Sequence, residues 1–239
     1  MARRVPVDNV EHANLRVIQR ASDDARVNQA LVVPAEFEQL QREYPIIFRR
    51  DEDGDFQSVA ILGFDRGENL FLHGHSWTSR YIPATLRRGP FFMGVGEEPD
   101  QLDPALLIDL DDPRVSESEG DPLFLSHGGA GPLLQQVGDA LRTIHEGLAH
   151  SGTMFALFAE LGLIAPVEID IDVGDGTHYK LADFFTISAE AIADLSGAAL
   201  ERLNRAGFLT TAVHARSSLG NMNALVELKT QKLMGTIDA

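Results

Sequence analysis

From Val167 to Val173 the chain reads Val-Glu-Ile-Asp-Ile-Asp-Val, seven residues that alternate apolar and acidic without a break, and Gly174-Asp175-Gly176 follows at once. A period of two puts the apolar side chains on one face of a β-strand and the carboxylates on the other, so this strand must rest on a core with its second face in water. A strand covered on both faces, as in a parallel sheet, would read as a continuous apolar run instead. The Gly-Asp-Gly turn returns the chain through His178 to Leu181 and predicts an antiparallel hairpin. A second hairpin is predicted by Ile46-Ile47-Phe48 and Val59-Ala60-Ile61-Leu62, which flank the acidic turn Asp51 to Asp55. Shorter strands are expected at Leu70 to Leu72, Phe91 to Val95 and Leu106 to Leu110.

Helical periodicity marks what covers these strands. Leu133, Val137, Leu141, Ile144 and Leu148 recur every three or four residues after Pro132, which predicts an amphipathic helix from Pro132 to about His150. A separate helix is expected from Thr153 to Leu161, stopped by Gly162. Pro34 opens a short helix with Phe37, Leu40 and Tyr44 inward, ended by Pro45, and Arg80 to Arg88 predicts another, broken by Gly89-Pro90. Toward the C-terminus the pattern predicts short helices at Ala189 to Asp194 and Ala198 to Arg205, a strand at Phe208 to Val213, and a terminal helix from Ser218 to Met234. That helix is expected to bury Leu219, Met222, Leu225 or Val226, and Leu233. The acidic loop Asp111 to Asp121 is expected to be the most exposed segment. The fold class is therefore α+β: antiparallel β-hairpins forming sheet, covered by helices. Residues 1–239 make one domain; an alternative of two similar, intimate halves, about 34–125 and 126–239, rests on a faint echo of Leu86, Arg88 and Phe91 in Leu203, Arg205 and Phe208.

Charge narrows the partners. The chain has a net charge of −16, and residues 51–200 hold 26 acidic against 7 basic residues while both ends are slightly basic. So negative a surface repels phosphate backbones and anionic headgroups, which argues against nucleic-acid or peripheral membrane binding. Cysteine is absent, removing disulfides, thiol nucleophiles and thiolate metal sites. The N-terminus lacks the apolar core of a secretory signal, and the most apolar stretch, Ser151 to Val167, holds Glu160 and two glycines, so no membrane span is expected and the chain is placed in the cytoplasm.

Few motifs carry chemistry. Neither Asp/Gly turn meets the calcium-loop spacing: counted from Asp51, position 12 is Leu62, and from Asp170 it is Leu181. There is no G-x-S-x-G elbow. His73-Gly74-His75 would, on an extended chain, project two imidazoles to one side, and this founds an alternative reading as a metal-dependent enzyme, although no third ligand is identifiable. Gly128, Gly129 and Gly131 form a glycine-rich loop before the best helix, either an anion loop or a plain connector. Trp77, Arg80, Tyr81, Arg87 and Arg88 gather the sole Trp, one Tyr and three Arg within an acidic region. Aromatic and arginine groupings of this kind make binding hot spots, or else the arginines pair internally and the rings pack on the sheet.

Several stretches resemble one bacterial family, SapC: Pro34-Ala35-Glu36-Phe37, Gln41 to Arg49, Gly67 to Leu72, Arg80 to Ala84, Leu86 to Phe91, Pro122 to Leu125, Ile144 to Gly147 and Ser218 to Asn221. The resemblance runs from Val7 over nearly the whole chain. It implies a link to a surface-array (S-layer) locus, and to gene neighbourhoods of TonB-dependent receptors and flavin-dependent halogenases. It supplies no reaction, cofactor or catalytic residue. Arg80, Tyr81, Arg87 and Arg88 fall within the resembling stretches; His73 and His75 do not. The expectation is a binding or accessory protein without a cofactor, acting on an unidentified protein or small-molecule ligand, with a structural role and self-association as a homodimer through the terminal helix as a further alternative.

Overall fold

Both expected hairpins form, the one read from alternation and the one read from apolar runs flanking an acidic turn, and they join into one sheet. A computed structural model describes residues 3–21, 25–94, 105–173 and 176–235; Val95 of the expected 91–95 strand, and Gly174 and Asp175 of the second turn, lie outside them. In chain order the strands are β1 (Arg4–Pro6), β2 (Arg16–Val17), β3 (Gln29–Val32), β4 (Ile46–Arg50), β5 (Phe56–Ile61), β6 (Leu72–His73), β7 (Ser76–Trp77), β8 (Phe91–Gly94), β9 (Ala105–Asp109), β10 (Val115–Ser116), β11 (Asp121–Pro122), β12 (Ile164–Asp172) and β13 (His178–Ile187). The helices are α1 (Phe37–Leu40), α2 (Ala84–Arg87), α3 (Pro132–Glu160), α4 (Ala189–Ala193), α5 (Gly197–Arg205), α6 (Phe208–Ser218) and α7 (Asn221–Leu233).

The main sheet is antiparallel throughout, in the order β12-β13-β4-β5-β3. In the β4–β5 turn the Asp51 carboxylate accepts the N–H groups of Asp53 and Asp55, a side-chain substitute for backbone pairing that suits Asp to this position. Along β12 the alternation holds: Glu168, Asp170 and Asp172 are exposed, while Ile171, with Val173 just beyond the strand, is buried. Pairing slips between Val167 and Ile169, a bulge in which Asp183 takes a φ of +63°. Among the described residues, Phe185 of β13 registers with Phe48 of β4, which joins the hairpin to the sheet near its open end.

Sequence patterning fails at three helices. The expected break between His150 and Thr153 does not occur, and α3 runs for 29 residues, a length of about 43 Å at 1.5 Å per residue. Gly152 is exposed and an added Cβ there would touch nothing, so only propensity argues against helix at that point, and packing on both sides overrides it. Nor does one stripe serve the whole helix: Leu133, Val137 and Leu141 are buried, but Leu148 is 49% exposed. The N-terminal half packs with Leu15, Val17, Phe91, Ile108 and Leu123 in one core, over the small sheets β1-β9-β8 and β10-β2-β11. The C-terminal half turns Met154, Phe155 and Phe158 into the larger core beneath the main sheet. Gly147 lies at the changeover, against Val33.

The expected strand at Phe208 to Val213 is the first part of α6. Its buried residues Phe208, Thr211, Ala212, Ala215 and Ser218 fit a helical period that β-propensity hides. The expected terminal helix is cut at Leu219-Gly220, and α7 buries Leu225 and Lys229 while Leu233 is 47% exposed. Lys229 is buried because Asp65 and Glu68 meet it at 2.6 and 2.8 Å, tying α7 to the loop after β5. The 111–121 loop is also less exposed than expected: Arg114 is buried in an ion pair with Asp112, and β10 and β11 both pair with β2.

Candidate binding cleft

Five segments meet around a cleft of about 340 Å³: the chain from Val17 to Ala21, the β6–β7 turn, α2 with the Gly89-Pro90-Phe91 step after it, Arg114, and the first turns of α3. The cleft follows the seam between the two cores. Trp77 and Leu86 on one wall pack against the larger core, and Phe91, Leu133 and Val137 on the other belong to the smaller. Four arginines, Arg20, Arg87, Arg88 and Arg114, line it together with His75, and among the described lining residues there is no carboxylate.

Two of the four arginines are structural. Arg114 is buried and forks onto Asp112, Nε to Oδ1 at 2.9 Å and Nη2 to Oδ2 at 2.7 Å. Burial alone would raise the Asp112 carboxyl; the Arg114 hydrogen bonds outweigh it and hold the group below its ordinary value. Arg88 donates from Nη1 to the Phe91 carbonyl at 2.7 Å, and its guanidinium lies 4.1 Å over the Phe92 ring, which locks the turn from α2 into β8.

The other two face solvent. Arg87 is exposed, its guanidinium 5.1 Å from the centre of the Tyr81 ring. Tyr81 in turn donates its hydroxyl to Glu36 Oε1 at 3.1 Å. Glu36 is 1% exposed and carries the local architecture: Oε1 accepts the Ala84 N–H at 2.7 Å at the start of α2, and Oε2 accepts the Val33 N–H at 3.1 Å ahead of α1. Burial pushes the Glu36 carboxyl above its ordinary value despite these donors, and burial together with the neighbouring Glu36 pushes the Tyr81 phenol up to about 12. Arg20 is exposed, and its side chain has no hydrogen bond or ion pair with any described residue.

The five residues singled out in the sequence therefore separate. Trp77, Arg87 and Arg88 line the cleft, Tyr81 stands behind Arg87, and Arg80 lies outside, its backbone N–H held by the Glu43 carboxylate at 3.0 and 3.1 Å. That Arg20, Arg114, Leu133 and Val137 belong to the same cleft carries no signal in the sequence, because nothing local links them to residues 77–88; only the chain path brings them together. The two histidines depart from the extended geometry on which the metal reading stood. His73 pairs with Ser76 across a tight turn in which Gly74 has a φ of +61°, and His75 Nδ1–H donates to the Ala21 carbonyl at 2.9 Å. Among the described residues, no group of three or more His, Cys, Asp or Glu is placed to hold a metal ion. In the glycine loop, the Gly128 and Gly131 N–H groups donate to the carbonyls of Leu125 and Leu123, and Pro132 brings no N–H to the helix start. A Cβ on Gly131 would sit 2.9 Å from the Leu123 and Pro122 carbonyl oxygens, so glycine is needed there for close backbone passage.

The sequence model of one family, SapC, matches residues 7–225 of the 239. The chain belongs to the SapC family. The match takes in both cores and every residue lining the cleft, so the cleft lies within the SapC domain and not in an appendage to it. No curated protein and no solved structure matches the chain. Among the described residues of this SapC protein, no helix is long and apolar enough to cross a membrane.

Proposed function

We propose that this SapC chain is a non-enzymatic binding or accessory protein of the cytoplasm, serving a pathway of nutrient uptake or the cell surface, with the cleft around Trp77, Arg87 and Arg88 as its contact surface. One observation carries the reading. In a chain of net charge −16, two exposed arginines, Arg20 and Arg87, stand at an apolar cleft whose described lining offers them no carboxylate. Arg50 is held by the Gly54 carbonyl and the Phe56 ring and Arg202 by Glu160, whereas Arg20 and Arg87 stand together at an open apolar cleft, and such a cationic lip favours an anionic group from outside.

The test is charge removal at the two solvent-facing positions. Native mass spectrometry of the untagged chain beside an Arg20→Ala/Arg87→Ala variant should show a retained molecule or partner with the first and not with the second, at equal melting temperature. Equal retention by both would refute the cleft as the contact surface. Arg88 is unsuited to this test, because replacing it removes the Phe91 carbonyl contact and disturbs the fold.

A further inference from the structure

Taking the cleft as the contact surface, we infer that its occupant is a small amphiphilic organic anion, an acid group joined to an aliphatic or aromatic body, and not a protein side chain or an inorganic ion. Size and lining both bear on this. About 340 Å³ is at the lower end of ligand pockets and equals the liquid volume of roughly eleven waters, enough for one small molecule. Trp77, Leu86, Phe91, Leu133 and Val137 form an apolar floor drawn from both cores, and a seam between two packed units is where ligand sites concentrate.

The charges are placed for the opposite end of such a molecule. Arg88 and Arg114 are fixed by the Phe91 carbonyl and by Asp112, so they shape the floor. Arg20 and Arg87 remain for the acid group, and Arg87 is held in place: its guanidinium rests over Tyr81, which Glu36 orients from within the fold. A guanidinium steadied in this way loses little side-chain entropy when it forks onto a carboxylate. His75 adds a third group at the lip. Its Nδ1–H is used by the Ala21 carbonyl, which leaves Nε2 as a further polar atom of the lining.

Trp77 is the sole tryptophan of the chain and lines the cleft, so its fluorescence reports occupancy directly. The experiment titrates 4-phenylbutyrate, 4-phenylbutan-1-ol and inorganic phosphate separately into the full chain and into the Arg20→Ala and Arg87→Ala variants. Saturable quenching or a blue shift is expected with the acid, and each arginine removed should weaken its binding about tenfold or more, the loss of one charge-assisted pair. Alcohol binding as strong as the acid, or phosphate as strong as both, overturns the amphiphilic-anion assignment while leaving the cleft a binding surface. No response to any probe, with a protein partner still lost in the double variant, overturns the small-molecule occupant and leaves the accessory role standing. Retention unaffected by the double variant, with the acid still bound and dependent on both arginines, supports the occupant and refutes only the proposed function.

Discussion

Gly147→Ala should destabilise the protein although it replaces glycine with the best helix former in the middle of a long helix. Propensity alone favours alanine by up to about 1 kcal/mol. Against it, a Cβ at 147 would lie 2.4 Å from Val33 Cβ and 2.5 and 2.9 Å from its two γ-carbons, where carbon atoms prefer about 3.5–4.0 Å. Val33 is fully buried and its N–H is tied to Glu36, so relief needs movement of backbone, of α3 or of the segment leading into α1. Overpacking of this kind costs about 1–3 kcal/mol, and a Cβ-to-Cβ clash belongs at the upper end because no rotamer avoids it. The net is a loss of about 2 kcal/mol, or about 4–8 °C in Tm for a chain of this size. Gly138 and Gly152 lie in the same helix with open space where a Cβ would go, so Gly138→Ala and Gly152→Ala should raise Tm. Thermal unfolding of the three variants, followed by circular dichroism at 222 nm, gives opposite signs within one helix. A Gly147→Ala chain as stable as the other two would refute the changeover contact between α3 and Val33.

Lys229→Met leaves Glu68 buried without its main partner and should cost about 3–5 kcal/mol in urea unfolding, whereas a Lys229→Met/Glu68→Gln chain should recover part of that. Glu36→Ala strands the Val33 and Ala84 N–H groups and should cost about 2–4 kcal/mol, with Phe substituted at Tyr81 costing less, since only one of three contacts to the carboxylate is lost. Asp65, Glu68 and Asp112 are all held below their ordinary values of 3.8, 4.5 and 3.8 in the fold, so the stability they add is complete above those values and is lost as pH falls through the folded ones. Glu36 has the opposite sign: its folded carboxyl titrates above 4.5, so its contribution is greatest in acid and declines as pH rises through the folded value. Urea midpoints taken from pH 3 to 7 should therefore fall steeply on the acid side in the parent chain and less steeply in Asp112→Asn.

The two hairpins of the main sheet were legible in the sequence, while short strands such as β1, β2 and β3 and the true course of α3 and α6 were not, for physical reasons. In β12 one face meets water and the other a core, so a period of two is written directly in Val167 to Val173; β4 and β5 are buried on both faces from Ile46 to Phe48 and from Ser58 to Ile61 and show as continuous apolar runs, with turn residues such as Asp51 and Gly54 marking where the chain reverses. In α3 the buried face changes as the helix leaves one core for the other, so no single stripe describes it, and Leu148 falls on the water side. In α6 small residues, Ala212, Ala215 and Ser218, carry the packing, and small residues give weak hydrophobic periodicity. The family resemblance rested on stretches that the fold uses, among them Pro34 to Phe37, where Glu36 is buried to hold α2.

The cleft shows the same division at the level of single side chains. Adjacent arginines, Arg87 and Arg88, are indistinguishable in the sequence, yet one is exposed above Tyr81 and the other is spent on a backbone carbonyl and the Phe92 ring. Helix geometry separates them: neighbours in an α-helix point about 100° apart, so only one of two consecutive residues at the end of α2 can face the cleft mouth while the other turns toward the strand that follows. Arg20 sits far away in sequence and reaches the same mouth because β2 pairs with both β10 and β11, which pins the segment after Val17 beside Arg114. The cationic lip is therefore a product of strand pairing and not of local composition. Loosening that pairing should impair the cleft before it unfolds the protein. Gly120 tests this, since a Cβ there would lie 2.5 Å from the Val17 carbonyl in a backbone with a φ of +95°. Gly120→Ala should lower 4-phenylbutyrate binding with Arg20 and Arg87 both intact, and unchanged binding together with a lowered Tm would show that the lip does not depend on β2.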